Sequence, residues 1–221
     1  MNVVHMKVST TKNKYGLLLV ALLSFILLSP LTNNSFIGKA SFLVLFVFTI
    51  LGVTRSISSS HHTRLFLAAI GLVSVIFNLT GRGYFDLEMA SKLTSLMFFG
   101  YAIKLFMADI FFRCEASIDS LFGSVCIYLL IGTVFATIYL IIQMFDATAF
   151  VYSSTGLPLQ HPFDDYYFSF VTLTTTGFGD IVPNSQVARS FVTIEAITGL
   201  FYLAILVAHL ATLVRPPEAK S

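Results

Sequence analysis

The stretch DDYYFSFVTLTTTGFGDIVP, residues 164–183, decides how the chain folds. Its core, TTTGFGD at residues 174–180, sets three hydroxyl residues, two glycines and a carboxylate in a sequence that is otherwise made for lipid. Non-helical backbone at membrane depth is tolerated only where protein buries it or where it lines a watery passage, because each unsatisfied peptide group costs several kcal/mol. The alternate glycines Gly177 and Gly179 give access to positive φ. Successive carbonyls can then face one way, which the alternating geometry of an ordinary strand forbids. The apolar run before this core, residues 163–175, covers only about 20 Å at about 1.5 Å per residue, so a re-entrant half-helix is expected rather than a crossing. Asp164 and Asp165 are expected at its N-cap and first turn, where negative charge suits the helix dipole.

The rest of the sequence agrees with a membrane setting. Of 221 residues, 56% are hydrophobic and 11% charged, where a soluble domain carries about a quarter charged. A mean hydropathy of +0.85, with 23 Phe and no Trp, excludes a water-soluble globule. Thirteen Lys and Arg against eleven Asp and Glu give a net charge of +2, too little basic charge for a nucleic-acid stripe. Cys114 and Cys126 are read as small packing residues. There is no HExxH, no GxSxG and no helical carboxylate pair, so an enzyme is not expected.

Six apolar runs reach the roughly 20 residues that a hydrocarbon core of about 30 Å requires: 15–31, 37–54, 64–80, 94–112, 121–145 and 189–214. The first is expected to be a retained helix rather than a cleaved signal, since no small-x-small site follows it closely. With the N-terminus inside, Lys7, Lys12, Lys14, Arg55, Arg64, Arg113, Arg215 and Lys220 fall on the cytoplasmic side, against Lys39, Arg82, Lys92 and Arg189 outside. This eight-to-four bias places both termini in the cytoplasm and residues 146–188 outside. The expected fold class is an all-α membrane protein with six transmembrane helices and a re-entrant helix and loop between the fifth and sixth. Its expected parts are a cytoplasmic segment 1–14, a four-helix unit 15–114, a unit 115–215 holding the loop, and a cytoplasmic tail 216–221.

Repeated around an axis by several subunits, a row of inward carbonyls makes stacked oxygen cages that replace the hydration shell of a monovalent cation. The Thr175 hydroxyl is expected to supply one more ring, and Phe178 is expected to point away and wedge the loop at its diameter. TTTGFGD followed by IVP resembles the signature of the potassium channel family, whose filters read T-x-G-(Y/F)-G-D. At the level of residues the resemblance covers 121–214; by length and span count the whole chain resembles a six-helix subunit. It implies a homotetramer, with Thr175, Thr176, Gly177, Phe178 and Gly179 coordinating K⁺, the permeant ion and the only metal expected. Thr174 and Asp180 are the supports on either side, and Gly199 falls where the family often carries a gating-hinge glycine. The partners so implied are lipid, K⁺ and three further copies, in a plasma membrane (the inner membrane of a bacterial cell), with a gating partner or ligand left open. No other cofactor is expected.

The chain departs from the voltage-gated members of that family. The four-helix unit is voltage-sensor-like but has no arginine ladder, and its fourth span carries only Lys104. Moving one charge through 100 mV is worth about 2.3 kcal/mol, so four copies of Lys104 supply roughly 9 kcal/mol against the tens of a full ladder. Asp109, five residues on, is read as lowering the burial cost of Lys104. Val171 stands where some relatives place a glutamate behind the filter, which removes one partner for Asp180. Glu195, the only carboxylate deep in the sixth span, must be neutral or hydrogen-bonded, since a charge there costs about 2.5–3.5 kcal/mol. Two readings follow: it braces the filter through re-entrant-helix groups such as Ser169 or Thr172, or it is a protonated packing residue. Helical spacing from Gly199 puts Leu200, Leu203, Val207 and Ala211 near one face, which the family uses to line the cavity and gate; packing is the alternative. The function expected is passive, K⁺-selective conduction without steep voltage gating, the alternatives being a nonselective cation channel and a transport or regulatory subunit without a continuous pore.

Overall fold

The computed structural model describes residues 14–28, 47, 49–54, 61–80, 83–112 and 118–214. Helices α1 (Lys14–Leu28), α2 (His61–Thr80), α3 (Phe85–Phe112) and α4 (Ile118–Phe145) are followed by strand β1 (Phe150–Tyr152), short helix α5 (Pro162–Leu173), strand β2 (Ile181–Pro183) and helix α6 (Gln186–Val214). Four of these helices are long and apolar enough to cross a bilayer: His61–Thr80, Phe85–Ile110, Asp119–Phe145 and Gln186–Ala208. The protein is therefore an all-α membrane protein. The apolar helix α1 is shorter in its described part. Of the expected second span, 37–54, residues 47 and 49–54 are helical and the remainder lies outside the described residues, as do 1–13 and 215–221.

Where the helices begin differs from the hydropathy reading for physical reasons. The helix expected from residue 94 starts at Phe85, because Asp86 and Glu88 occupy its first turn, where acidic side chains suit the exposed amides. Helix α5 is capped by His161, with Pro162 as its first residue, instead of by Asp164. Asp164 sits at the third helical position and accepts the His161 N–H at 3.2 Å, closing the end from inside the first turn. Helix α6 is capped by Ser185, whose Oγ accepts the Ala188 N–H at 3.1 Å.

Most hydroxyls within the long helices are satisfied locally; among the described residues the buried Ser91 hydroxyl on α3 is the exception, with no hydrogen-bond partner. Thr133 donates to the Leu129 carbonyl at 2.9 Å, Thr137 to Thr133 at 2.8 Å and Thr198 to Ile194 at 2.7 Å, so these three hydroxyls are not left bare in an apolar medium. Between α2 and α3, Ser74 and Ser95 meet at 2.6 Å.

The main core joins α1, α3 and α4 through Leu18, Leu22, Phe98, Phe106, Ile127 and Leu130. At one end, the first turn of α1 is held between α3 and α4. The Tyr15 hydroxyl donates to Asp109 at 2.7 Å, and its N–H donates to Asp119 at 3.1 Å. The same end of α4 receives α6, since Tyr202 donates its hydroxyl to the Ser124 carbonyl at 2.7 Å. A second core surrounds α5 with Phe135, Tyr139, Phe150, Phe168 and Ile181. Helix α6 leaves Leu200, Phe201, Leu203 and Val207 exposed.

Candidate functional site

Helix α5 ends at Leu173, and the chain turns back on its last carbonyls. Thr174 N–H donates to Phe170 at 3.0 Å, Thr175 N–H to Thr172 at 2.8 Å, and the amides of Thr176 and Gly177 to Val171 at 2.9 and 3.4 Å. These bonds satisfy the helix C-terminus and use the amides of the loop's first half. Three alternate residues then have positive φ: Thr175 at 56°, Gly177 at 56° and Gly179 at 77°. Thr175 is the one non-glycine residue in that region among those described. A β-branched side chain there stores strain of about 1–3 kcal/mol, held by the amide bonds on either side. Among the described residues, the carbonyls of residues 174–179 accept no hydrogen bond. Residues 174–180 are all exposed in the single chain, Phe178 at 69%.

Side chains fix the two ends of this loop. Thr174 donates its hydroxyl to the Phe170 carbonyl at 2.7 Å and meets the Thr176 hydroxyl at 2.9 Å, so the third threonine is tied back to α5. Beyond the glycines, Asp180 accepts the Tyr167 hydroxyl at 2.7 Å, while its carbonyl accepts the Ser153 N–H at 2.8 Å. Strands β1 and β2 pair with Phe150 opposite Pro183, Val151 opposite Val182 and Tyr152 opposite Ile181. Asn184 N–H adds a 2.8 Å bond to Ala149. Tyr152 reaches from β1 to donate to Asp164 on α5.

Tyr167 is a partner of Asp180 that sequence reading missed. The signal was available, since Tyr167 lies one helical turn before Val171 and so faces the same way. Its hydrogen bond to Asp180 pushes the phenol up to about 12, so it remains a donor throughout the physiological range. Tyr167→Phe is expected to shorten sustained conduction about fivefold, the equivalent of one ordinary hydrogen bond, with little change in melting temperature. A time course of flux beside a melting curve checks this. Asp165, nearly fully buried, receives the Gln143 side-chain amide from α4. Burial pushes its carboxyl up to about 7, the Gln143 bond pulling the other way.

Glu195, fully buried on α6, has Ser169 of α5 and Tyr139 of α4 as its hydrogen-bond partners among the described residues; Thr172 is not one of them. Gly199 lies in the unbroken helix α6, and a Cβ there would fall 2.1 Å from the Leu173 carbonyl oxygen. That oxygen also accepts the Tyr128 hydroxyl at 3.0 Å. Gly199 thus has a packing reason to be glycine, whether or not the helix bends there. Leu203 and Val207 follow on α6 with exposed side chains, and Ala211 comes one turn later.

The site therefore comprises a short helix, a loop with bare carbonyls and alternating handedness, and two long helices that hold them. A protein-family model described as an ion channel matches residues 125–215, which take in most of α4 and everything to the end of α6. No curated protein and no solved structure matches the chain. Residues 125–215 are thus similar to an ion-channel domain, and this similarity supports passive ion conduction by a multi-pass membrane protein.

Proposed function

We propose that the protein is a potassium-selective channel in which four copies surround one conduction path, with carbonyl rings from Thr175, Thr176, Gly177, Phe178 and Gly179 and the Thr175 hydroxyl replacing the water around K⁺. The observation that carries this reading is the alternation of positive φ at residues 175, 177 and 179 beside a run of carbonyls with no hydrogen-bond partner among the described residues. Hydrogen-bond acceptors left bare at membrane depth need a ligand, and a dehydrated monovalent cation supplies one. Fourfold assembly is supported by the exposure of the loop and of Phe178, which meets a neighbouring copy in this arrangement. The exposed face of α6 at Leu200, Leu203 and Val207 suits a shared cavity, with Ala211 further along the same helix.

In this reading Thr174, Asp180 and Glu195 hold the filter. The four-helix unit 15–114 acts mainly as scaffold, because Lys104 alone supplies too little gating charge for steep voltage dependence. The charge bias of the loops puts both termini on the cytoplasmic side of the plasma membrane. Lipid and K⁺ are the partners required, without nucleic acid or an organic cofactor.

Ion flux from liposomes holding the purified full-length protein tests the proposal. The expected result is K⁺ efflux at least about tenfold faster than Na⁺ efflux and blocked by Ba²⁺, as carbonyl coordination requires. Equal K⁺ and Na⁺ rates would replace it with a nonselective cation channel, and no flux of either ion would leave a subunit without a continuous pore.

A further inference from the structure

We infer that Glu195 carries a proton, and that this neutral carboxylic acid joins α5 to α4 and α6 in one hydrogen-bonded relay. The inference comes from counting protons in a buried cluster. The Ser169 Oγ lies 2.7 Å from the Gly132 carbonyl oxygen on α4 and 2.5 Å from Glu195 Oε1 on α6. Tyr139 donates its hydroxyl to Glu195 Oε2. Ser169, Glu195 and Tyr139 are all fully buried.

A serine hydroxyl has one proton, a peptide carbonyl has none, and an ionised carboxylate only accepts. If Glu195 were ionised, Ser169 could direct its proton to Gly132 or to Glu195, and the other short contact would join two acceptors with nothing between them. A proton on Oε1 completes the set. Tyr139 donates to Oε2, Oε1 donates to Ser169, and Ser169 donates to the Gly132 carbonyl. Three contacts then hold three protons, with no bare acceptor pair. Burial favours the same answer, because a charge without a cationic partner is strongly disfavoured away from water, and the hydrogen-bond partners here are two neutral hydroxyls.

The relay crosses all three helices that hold the loop. Ser169 lies two and three residues before Val171 and Thr172, whose carbonyls receive the amides of Thr175, Thr176 and Gly177. Gly132 takes part twice: its carbonyl ends the relay, and its missing side chain makes room for Phe170, since a Cβ there would fall 2.5 Å from that ring. Tyr139 is held in place by Phe150 and Phe168, with ring centroids 4.7 and 5.6 Å away. Glu195 is thus a positioning residue. It acts on the filter through Ser169 and α5, and this part of the inference rests on the channel reading above.

Infrared spectroscopy of the full-length protein in liposomes, with flux measured on the same samples, tests it. At neutral pH the wild-type spectrum minus that of Glu195→Gln is expected to show the C=O stretch of a buried carboxylic acid; any band from the buried Asp165 is common to both proteins and cancels. The Gln amide can donate to Ser169 and accept from Tyr139, whereas Ala can do neither. Glu195→Ala is therefore expected to lower the K⁺-over-Na⁺ flux ratio by about tenfold, as expected for two lost buried hydrogen bonds, and Gln in its place to restore the ratio to within about twofold of wild type. Tyr139→Phe, which keeps the ring and removes one donor, gives an intermediate loss if Glu195→Ala does not assemble. A difference spectrum without the band, or a Gln variant as impaired as the Ala variant, overturns the inference. Protein that shows the band in the difference spectrum but passes no K⁺ overturns the channel reading and leaves the protonated relay standing.

Discussion

Gly199→Ala is expected to remove most K⁺ flux and, with it, discrimination against Na⁺. The added carbon would lie 2.1 Å from the Leu173 carbonyl oxygen and 3.0 Å from its carbonyl carbon. Overpacking costs about 1–3 kcal/mol where side chains can turn aside. Here the obstacle is backbone at the end of α5, so the upper end of that range applies in every subunit. The helices must separate, and the residue after Leu173 is the first threonine of the loop. A glycine needed only for bending would predict slower opening with selectivity intact. Close packing against Leu173 predicts that selectivity and thermal stability fall together. Gly100→Ala on α3, where nothing lies within 4 Å of the added carbon, is the matched control and is expected to leave both unchanged.

Gly177→Ala is expected to leave the subunit folded and to reduce K⁺ efflux to about a tenth or less. An L-residue at positive φ costs about 1–2 kcal/mol, so each subunit can fold with the strain. Conduction is more sensitive than folding, because relaxing φ at residue 177 turns the neighbouring peptide and with it a coordinating carbonyl. Gly156 separates the two effects. It has φ 67° against 56° for Gly177, and neither has an atom within 4 Å of an added carbon. Gly156→Ala carries the same backbone cost in the loop beside β1 and is expected to conduct normally. Helical content from circular dichroism, measured beside flux for both variants, distinguishes lost folding from lost coordination. Equal flux from the two variants would remove residue 177 from the conduction path.

The loop half of the molecule was largely legible in the sequence. Two glycines at alternate positions announced the positive φ values at Gly177 and Gly179, and a run too short to cross announced α5. Thr175 was not announced, because the tendency of a threonine to avoid positive φ is overridden by the amide bonds between the loop and α5. The ribbon of β1 and β2 was missed, since strands of three residues have no usable alternation and form here through pairing across the loop. Helix α3 was read too short because Asp86, Glu88 and Lys92 look like loop by hydropathy, yet the two acidic residues suit a first turn and Lys92 lies beyond it within the helix. Glu195 stood out as a polar group in an apolar run, and Ser169 was named among its candidate partners. Tyr139 was not, because a contact 56 residues away in sequence follows from tertiary packing alone.

The ribbon has a consequence for the proposed assembly of four copies. A seven-residue loop with its side chains exposed would ordinarily sample many shapes, and docking would have to freeze them at a cost in affinity. Here α5 anchors the loop at Thr174 and the β1–β2 pairing anchors it just past Asp180, so its conformational entropy is surrendered while the monomer folds. In the proposed fourfold assembly, subunits would meet with this surface already preorganised, and more of the free energy of contact would remain to hold the oligomer together.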